Sequence, residues 1–239
     1  MFTVVDQPCR SSVYNNLPDV VDADAALRPF RATLAKLVGS GTQVCQSTPF
    51  EDGAIGGFLL HRHWELNQDE CIIERPGQHP SGRPALISSA RPLDERAATA
   101  PSRFRVDVKR GELVPLEFSS DSSVRRIWRD LNASPDVLNR LCRTIGDSGL
   151  SDKIGLCILA RDLPVADGEL LVEENFDEAS VLNVRTLAPI EEENAIETAW
   201  PFVAAGDAGA PRCIIVCFSA GSGPHSLEHF GINPTTLPQ

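Results

Sequence analysis

Apolar residues flank a polar run in Phe58 to Leu66, the start of the strand-like stretch FLLHRHWELNQDECIIERP. A β-strand turns successive side chains to opposite faces, so a strand here puts His61, His63 and Glu65 on one side and Leu60, Arg62, Trp64 and Leu66 on the other. The polar run Asn67 to Glu70 reads as the turn of a hairpin whose second arm is Cys71 to Pro76. A turn centred between Gln68 and Asp69 sets Leu66 against Cys71, Trp64 against Ile73 and His63 against Glu74. One face then carries His61, His63, Glu65, Ile72 and Glu74, and the other supplies a core layer.

The rest of the chain has three textures. Strand-like runs occur at Phe2 to Val5, Thr42 to Gln46, Ala85 to Ala90, Phe104 to Val108, Leu113 to Phe118, Ile154 to Ala160, Glu169 to Glu173, Val181 to Leu187 and Cys213 to Phe218. Lys109 to Glu112 reads as the turn of a second hairpin, and Pro115, which lacks an N–H, makes its second arm an edge strand. Helical spacing appears from Asp22 to Gly39, where Pro29 interrupts the pattern. It recurs after Ser120, with Val124, Ile127, Trp128 and Leu131 on one face, and again after Ser134-Pro135-Asp136, with Gly146 as the stop. Pro189 opens a short acidic helix that must end before Pro201. The loops are Pro76 to Pro84, residues 91–102 and the acidic Glu174 to Glu178.

Strands on both sides of a helical pair predict an α+β fold. We expect one domain, 1–239, with 1–20 and 219–239 largely irregular. Its sheet should be largely antiparallel and either curved or barrel-like, with the helical pair, about 120–146, packed on it.

Charge narrows the partners. The formal net charge is −11, from 22 basic and 33 acidic residues, and no basic cluster exists to neutralise phosphates. Nucleic acid is therefore not expected as a partner, nor an anionic membrane surface. No run of about 18 apolar residues is present, and the N-terminal stretch lacks the pattern of a secretory signal, so a cytoplasmic protein is expected. The seven cysteines sit mostly in apolar runs without a CxxC pair, which fits reduced thiols used as small hydrophobes.

Chemistry concentrates on the first hairpin. Two imidazoles and a carboxylate converging from one strand face can hold Zn²⁺, Fe²⁺, Mn²⁺ or Ni²⁺ with positions left open for water or substrate. The expected metal ligands are His61, His63 and Glu65, with Glu74 nearby as acid or base. The HxH resembles the first motif of the cupin barrel over fewer than ten residues, with Asn67 or Gln68 where that motif places its Glu. The resemblance implies a remote histidine, for which His225 and His229 are available.

Without metal, His63 beside Glu74 or Glu65 would be an oriented imidazole able to move protons. No GxSxG marks a nucleophile, and Cys71 reads as a core thiol. Gly221-Ser-Gly223 has no following Lys to make a phosphate loop, and Glu173, Glu174, Asp177 and Glu178 read as a solvated acidic surface without EF-hand spacing. The expected function is a metal-dependent enzyme acting on a small molecule. The alternative is a non-catalytic α+β module that binds a small ligand or a protein.

Overall fold

The structure, a computed structural model, describes residues 2–5, 11–18, 54–166, 169–176, 179–187, 196–201 and 215–219, with the backbone alone at 196, 197, 201 and 216–219. The strands are β1 (Thr3–Val4), β2 (Ile55–Leu59), β3 (Glu70–Gln78), β4 (Pro84–Pro92), β5 (Ala100–Asp107) and β6 (Glu112–Ser119). They continue with β7 (Ile154–Ile158), β8 (Leu170–Asn175), β9 (Ser180–Arg185), β10 (Ile196–Pro201) and β11 (Ile215–Ser219). The helices are α1 (Ser11–Tyr14), α2 (Ser122–Asn132) and α3 (Pro135–Asp147), and a 3-10 helix spans Leu93–Ala98. The expected helix at 22–39, strand at 42–46, acidic helix from Pro189, Gly221–Gly223, His225 and His229 lie outside the described residues.

This is the α+β architecture that the pattern predicts: a curled, mixed but largely antiparallel sheet with a helical pair on it. The strand order is β1, β6, β3, β4, β9, β8, β11, β10, β2, β7, β5, and β5 pairs with β6 as well as β7, so the ladder curls back on itself. Directly opposed residues share a face of the sheet. Following the register, Phe58 opposes Gly155, Arg103 opposes both Cys157 and Glu117, and Glu117 opposes Ile72. From there Ile72 opposes Ala90, Leu86 opposes Leu182, and Leu182 opposes Glu173. The same parity returns through Leu171, Ile215 and Ala199 to Phe58. One face of the curl therefore carries Arg103, Glu117, Glu173 and, two residues from Ile72, Glu74.

The other face of β5 and β7 is apolar and lies under the helices. Phe104, Val106, Leu156 and Ile158 form one cluster with Val124, Ile127 and Leu131 of α2 and Leu138, Leu141, Cys142 and Ile145 of α3. Asp121 caps α2 by accepting hydrogen bonds from the Ser123 and Val124 amides, one residue beyond the expected start. α3 starts with Pro135 as expected, but the Ser134 side chain makes no capping bond. The helix runs past Gly146 to Asp147, and Gly149, at φ 71°, takes the left-handed turn that follows.

Four expectations about elements need correction. β2 ends at Leu59 and pairs with β7 and β10, whereas β3 pairs with β4 and β6, so the hairpin joining 58–66 to 71–76 does not form. The segment 76–84 is not all loop: Pro76 to Gln78 and Pro84 belong to the ladder, which confines the turn to 79–83, where Gly82 has a φ of 82°. Ile196–Pro201 is a strand, where the pattern along the chain predicts only an acidic helix from Pro189 ending before Pro201. β6 is not an edge, yet the reason given for Pro115 holds: β1 pairs only with 112–113 and β3 only with 117–119, so Pro115 sits between them. Gly56 shows why a glycine stands in β2, since a Cβ there would lie 2.0 Å from the Trp200 carbonyl oxygen.

Candidate functional site

His61 and His63 leave β2 on an irregular segment, held from outside by the α1 region. Asn15 makes both bonds of a backbone bracket to Leu66: its Nδ2 donates to the Leu66 carbonyl at 2.8 Å and its Oδ1 accepts from the Leu66 amide at 2.9 Å. The Arg62 amide donates to the Pro18 carbonyl, and the His63 amide donates to the Tyr14 hydroxyl at 3.1 Å. This strap turns both imidazoles inward, with ring centroids 4.5 Å apart and planes at 72°. His61 Nδ1 lies 2.8 Å from the Leu59 carbonyl, which only accepts, so Nδ1 carries the proton in the neutral ring.

The two rings face a buried charge cluster on the inner side of the curled sheet. His63 Nε2 is 3.7 Å from Glu173 Oε1 on β8. Arg103, on β5, reaches Glu173 with Nη2 at 3.3 Å and Glu117, on β6, with its other arm at 3.3 Å. Ser180 donates to Glu173 at 3.1 Å, and the Arg103 guanidinium lies over the Phe58 ring at 5.4 Å. Beside this fork, Arg161 Nε meets Glu74 Oε1 at 2.8 Å, and Ser119 Oγ donates to the same oxygen at 2.6 Å. His61, His63, Glu74, Arg103, Glu117 and Glu173 are each no more than 6% exposed.

Burial and mutual charge separate the two carboxylates on Arg103. Burial pushes Glu117 up to about 7; Arg103 opposes that rise, while Glu173 and Glu74 add to it. Burial acts the same way on Glu173, but Arg103, then His63 and His61, outweigh it and hold this carboxyl well below the usual range. Burial also raises the Tyr14 hydroxyl well above its ordinary value, with Glu117 adding to it. Among the described thiols, burial lifts Cys71 to about 11 and Cys157 to about 12, which disfavours the thiolate at both.

Of the residues expected from sequence, His61 and His63 are together and buried. Glu65 is exposed and takes no part with them, because the segment carrying it is not a strand and parity does not apply. Glu74 is inside, but its partners are Arg161 and Ser119 rather than His63. Among the described residues, no three His, Cys, Asp or Glu side chains are arranged to hold a metal ion. Of the three expected ligands, the structure thus brings His61 and His63 together and places Glu65 at the surface, apart from them.

Glu173 takes the place expected of Glu65. Its sequence signal was concealed by its neighbours: beside Glu174, in an acidic stretch, it reads as surface, yet its strand turns Glu173 inward and Glu174 outward. Arg103 and Tyr14 carry no distinguishing signal, since Arg103 stands on a strand with Arg105 and Asp107; for Glu117 the available clue is a lone charge inside the apolar run Leu113 to Phe118. No helix among the described residues is long and apolar enough to cross a membrane. No protein-family model, curated protein or solved structure matches this chain.

Proposed function

We propose that the inner face of the curled sheet is the site of an enzyme that acts on a small molecule by proton transfer, with Glu117 as acid and base. Arg103 and the His63–Glu173 pair then stabilise the charge that develops on the substrate. The observation that carries this reading is the convergence of Glu117 and Glu173 on one guanidinium with His63 beside them, all secluded from bulk water.

Charge balance gives the cluster its chemistry. Two arginines, Arg103 and Arg161, face three carboxylates, Glu74, Glu117 and Glu173. In a low-dielectric interior neutrality requires one further proton, held by Glu117 or by an imidazole. Two carboxyl groups driven apart in acidity on one site are the arrangement that assigns acid and base roles. A value of about 7 for Glu117 matches a group that both takes and gives a proton near neutral pH.

The test is deuterium uptake from D₂O into the carbon next to a carbonyl, followed by proton NMR across small aldehydes, ketones and 2-oxo acids. The expected result is exchange into at least one compound that falls about 100-fold or more in Glu117→Gln, with folding retained. Exchange that survives this change, or no exchange into any compound, overturns the proposal. The non-catalytic alternative predicts the second outcome, with the cluster only holding the sheet. Elemental analysis of untagged protein tests the metal-dependent reading separately: stoichiometric Zn, Fe, Mn or Ni that disappears in His61→Ala and His63→Ala would replace metal-free proton transfer with metal chemistry.

A further inference from the structure

We propose a second reactive centre on the outer surface, in which Ser81 is a nucleophile for acyl groups, His79 its base and Glu174 the group that orients the base. Ser81 is exposed in the turn between β3 and β4. Its Oγ lies 2.7 Å from His79 Nδ1, and His79 Nε2 lies 2.9 Å from Glu174 Oε2 on β8. Glu174 Oε1 in turn accepts from Arg185 Nε at 3.1 Å. The chain of contacts runs from hydroxyl through imidazole to an anchored carboxylate, which is the geometry of an activated serine.

The tautomer follows from an additional contact. The Ser81 amide donates to His79 Nδ1 at 3.1 Å, and a backbone N–H can only donate. Nδ1 therefore holds the lone pair, and in the neutral ring the proton sits on Nε2, aimed at Glu174. That is the state in which the imidazole can take the hydroxyl proton. The positions are fixed by the turn: His79 and Arg83 are joined through backbone N–H to carbonyl at 2.9 Å, and the Gly82 amide donates to the His79 carbonyl at 2.7 Å. His79 and Glu174 side chains are 19% and 14% exposed, so the base is backed by protein while the hydroxyl faces solvent.

The step balances for an ester and water. Nδ1 takes the Ser81 proton as Oγ bonds to the acyl carbon, and Glu174 holds the imidazolium. The bond from that carbon to the ester oxygen then breaks, and the leaving alkoxide receives the proton from Nδ1. Water attacks the acyl-serine in the same way, releasing a carboxylic acid and restoring the hydroxyl. Because the site is open, the suitable substrate class is a small activated ester.

The experiment is reaction of the full chain with a fluorophosphonate probe, read by peptide mass, together with p-nitrophenyl acetate hydrolysis. The expected result is a phosphonyl adduct on Ser81, absent in Ser81→Ala. Labelling and hydrolysis should fall at least about tenfold in His79→Gln and less in Glu174→Gln. Ser81→Cys should form a covalent adduct with iodoacetamide faster than an exposed cysteine placed at Arg110. An adduct found elsewhere, or labelling unaffected by His79→Gln in protein that retains its circular dichroism spectrum, would overturn the proposal.

Discussion

At the scale of single residues, Glu117 concentrates the cost and the use of the interior. Its carboxyl ordinarily titrates near 4.5 and is raised to about 7 in the folded chain. Between those values the folded state holds a proton that the unfolded state has lost, so this group's contribution to stability falls as pH rises from 4.5 to 7. Each unit of such a shift corresponds to about 1.4 kcal/mol. Glu173 has the opposite sign: its lowered value adds stability above the ordinary carboxylate range that is lost as pH falls below it. Urea denaturation from pH 4.5 to 8 should therefore show a decline across 4.5 to 7 that is flattened in Glu117→Gln. An equal decline in the variant would remove Glu117 as its source.

At the scale of elements, α2 shows how local chemistry sets a boundary. Asp121 satisfies two orphan amides of the first turn with one oxygen, and its other oxygen accepts from the Asp162 amide at 3.0 Å, tying the helix to the chain after β7. The Ser122 and Ser123 hydroxyls donate to Asp162, whose carboxyl these bonds hold below its ordinary value. Asp121→Ala should cost about 1–2 kcal/mol, measured as a shift of the urea midpoint at constant slope. A change under about 0.3 kcal/mol would show that the cap carries little.

At the scale of the molecule, the inner charges join strands far apart in sequence. Arg103 on β5 bridges Glu117 on β6 and Glu173 on β8, which sits across the curl. Removing the guanidinium strands two buried carboxylates, and breaking a buried ion pair from one side costs about 3–5 kcal/mol. Arg103→Met should lose stability of that order, and adding Glu117→Gln and Glu173→Gln should recover a large part. Thermal unfolding of the single and triple variants checks this; a triple variant no more stable than the single would mean that packing, not charge, is what Arg103 supplies.

The α+β class, the helical pair, the hairpin of β5 and β6 and the strands β7, β8, β9 and β11 were legible from the chain. Each rests on a period or a breaker within about a dozen residues: Val124, Ile127 and Leu131 face one way because a helix has 3.6 residues per turn. The paired histidines were legible as well, as polar groups set in an apolar stretch. Their partners were not. The polar run within 58–66 also suits a segment strapped by Asn15 and Tyr14, and those contacts, about 50 residues distant in the chain, hold it outside the ladder, with Glu65 exposed.

The sequence by itself determined the periodic elements and their apolar faces, because period and propensity are local properties of the chain. Only the tertiary structure decided which face of the sheet lies inside, and hence that Arg103, Glu117 and Glu173 meet. Ladder register fixes that, and register is set by pairings between strands far apart in the chain, such as Ala85 with Asn183. The same holds on the surface, where His79 finds Glu174 from 95 residues away.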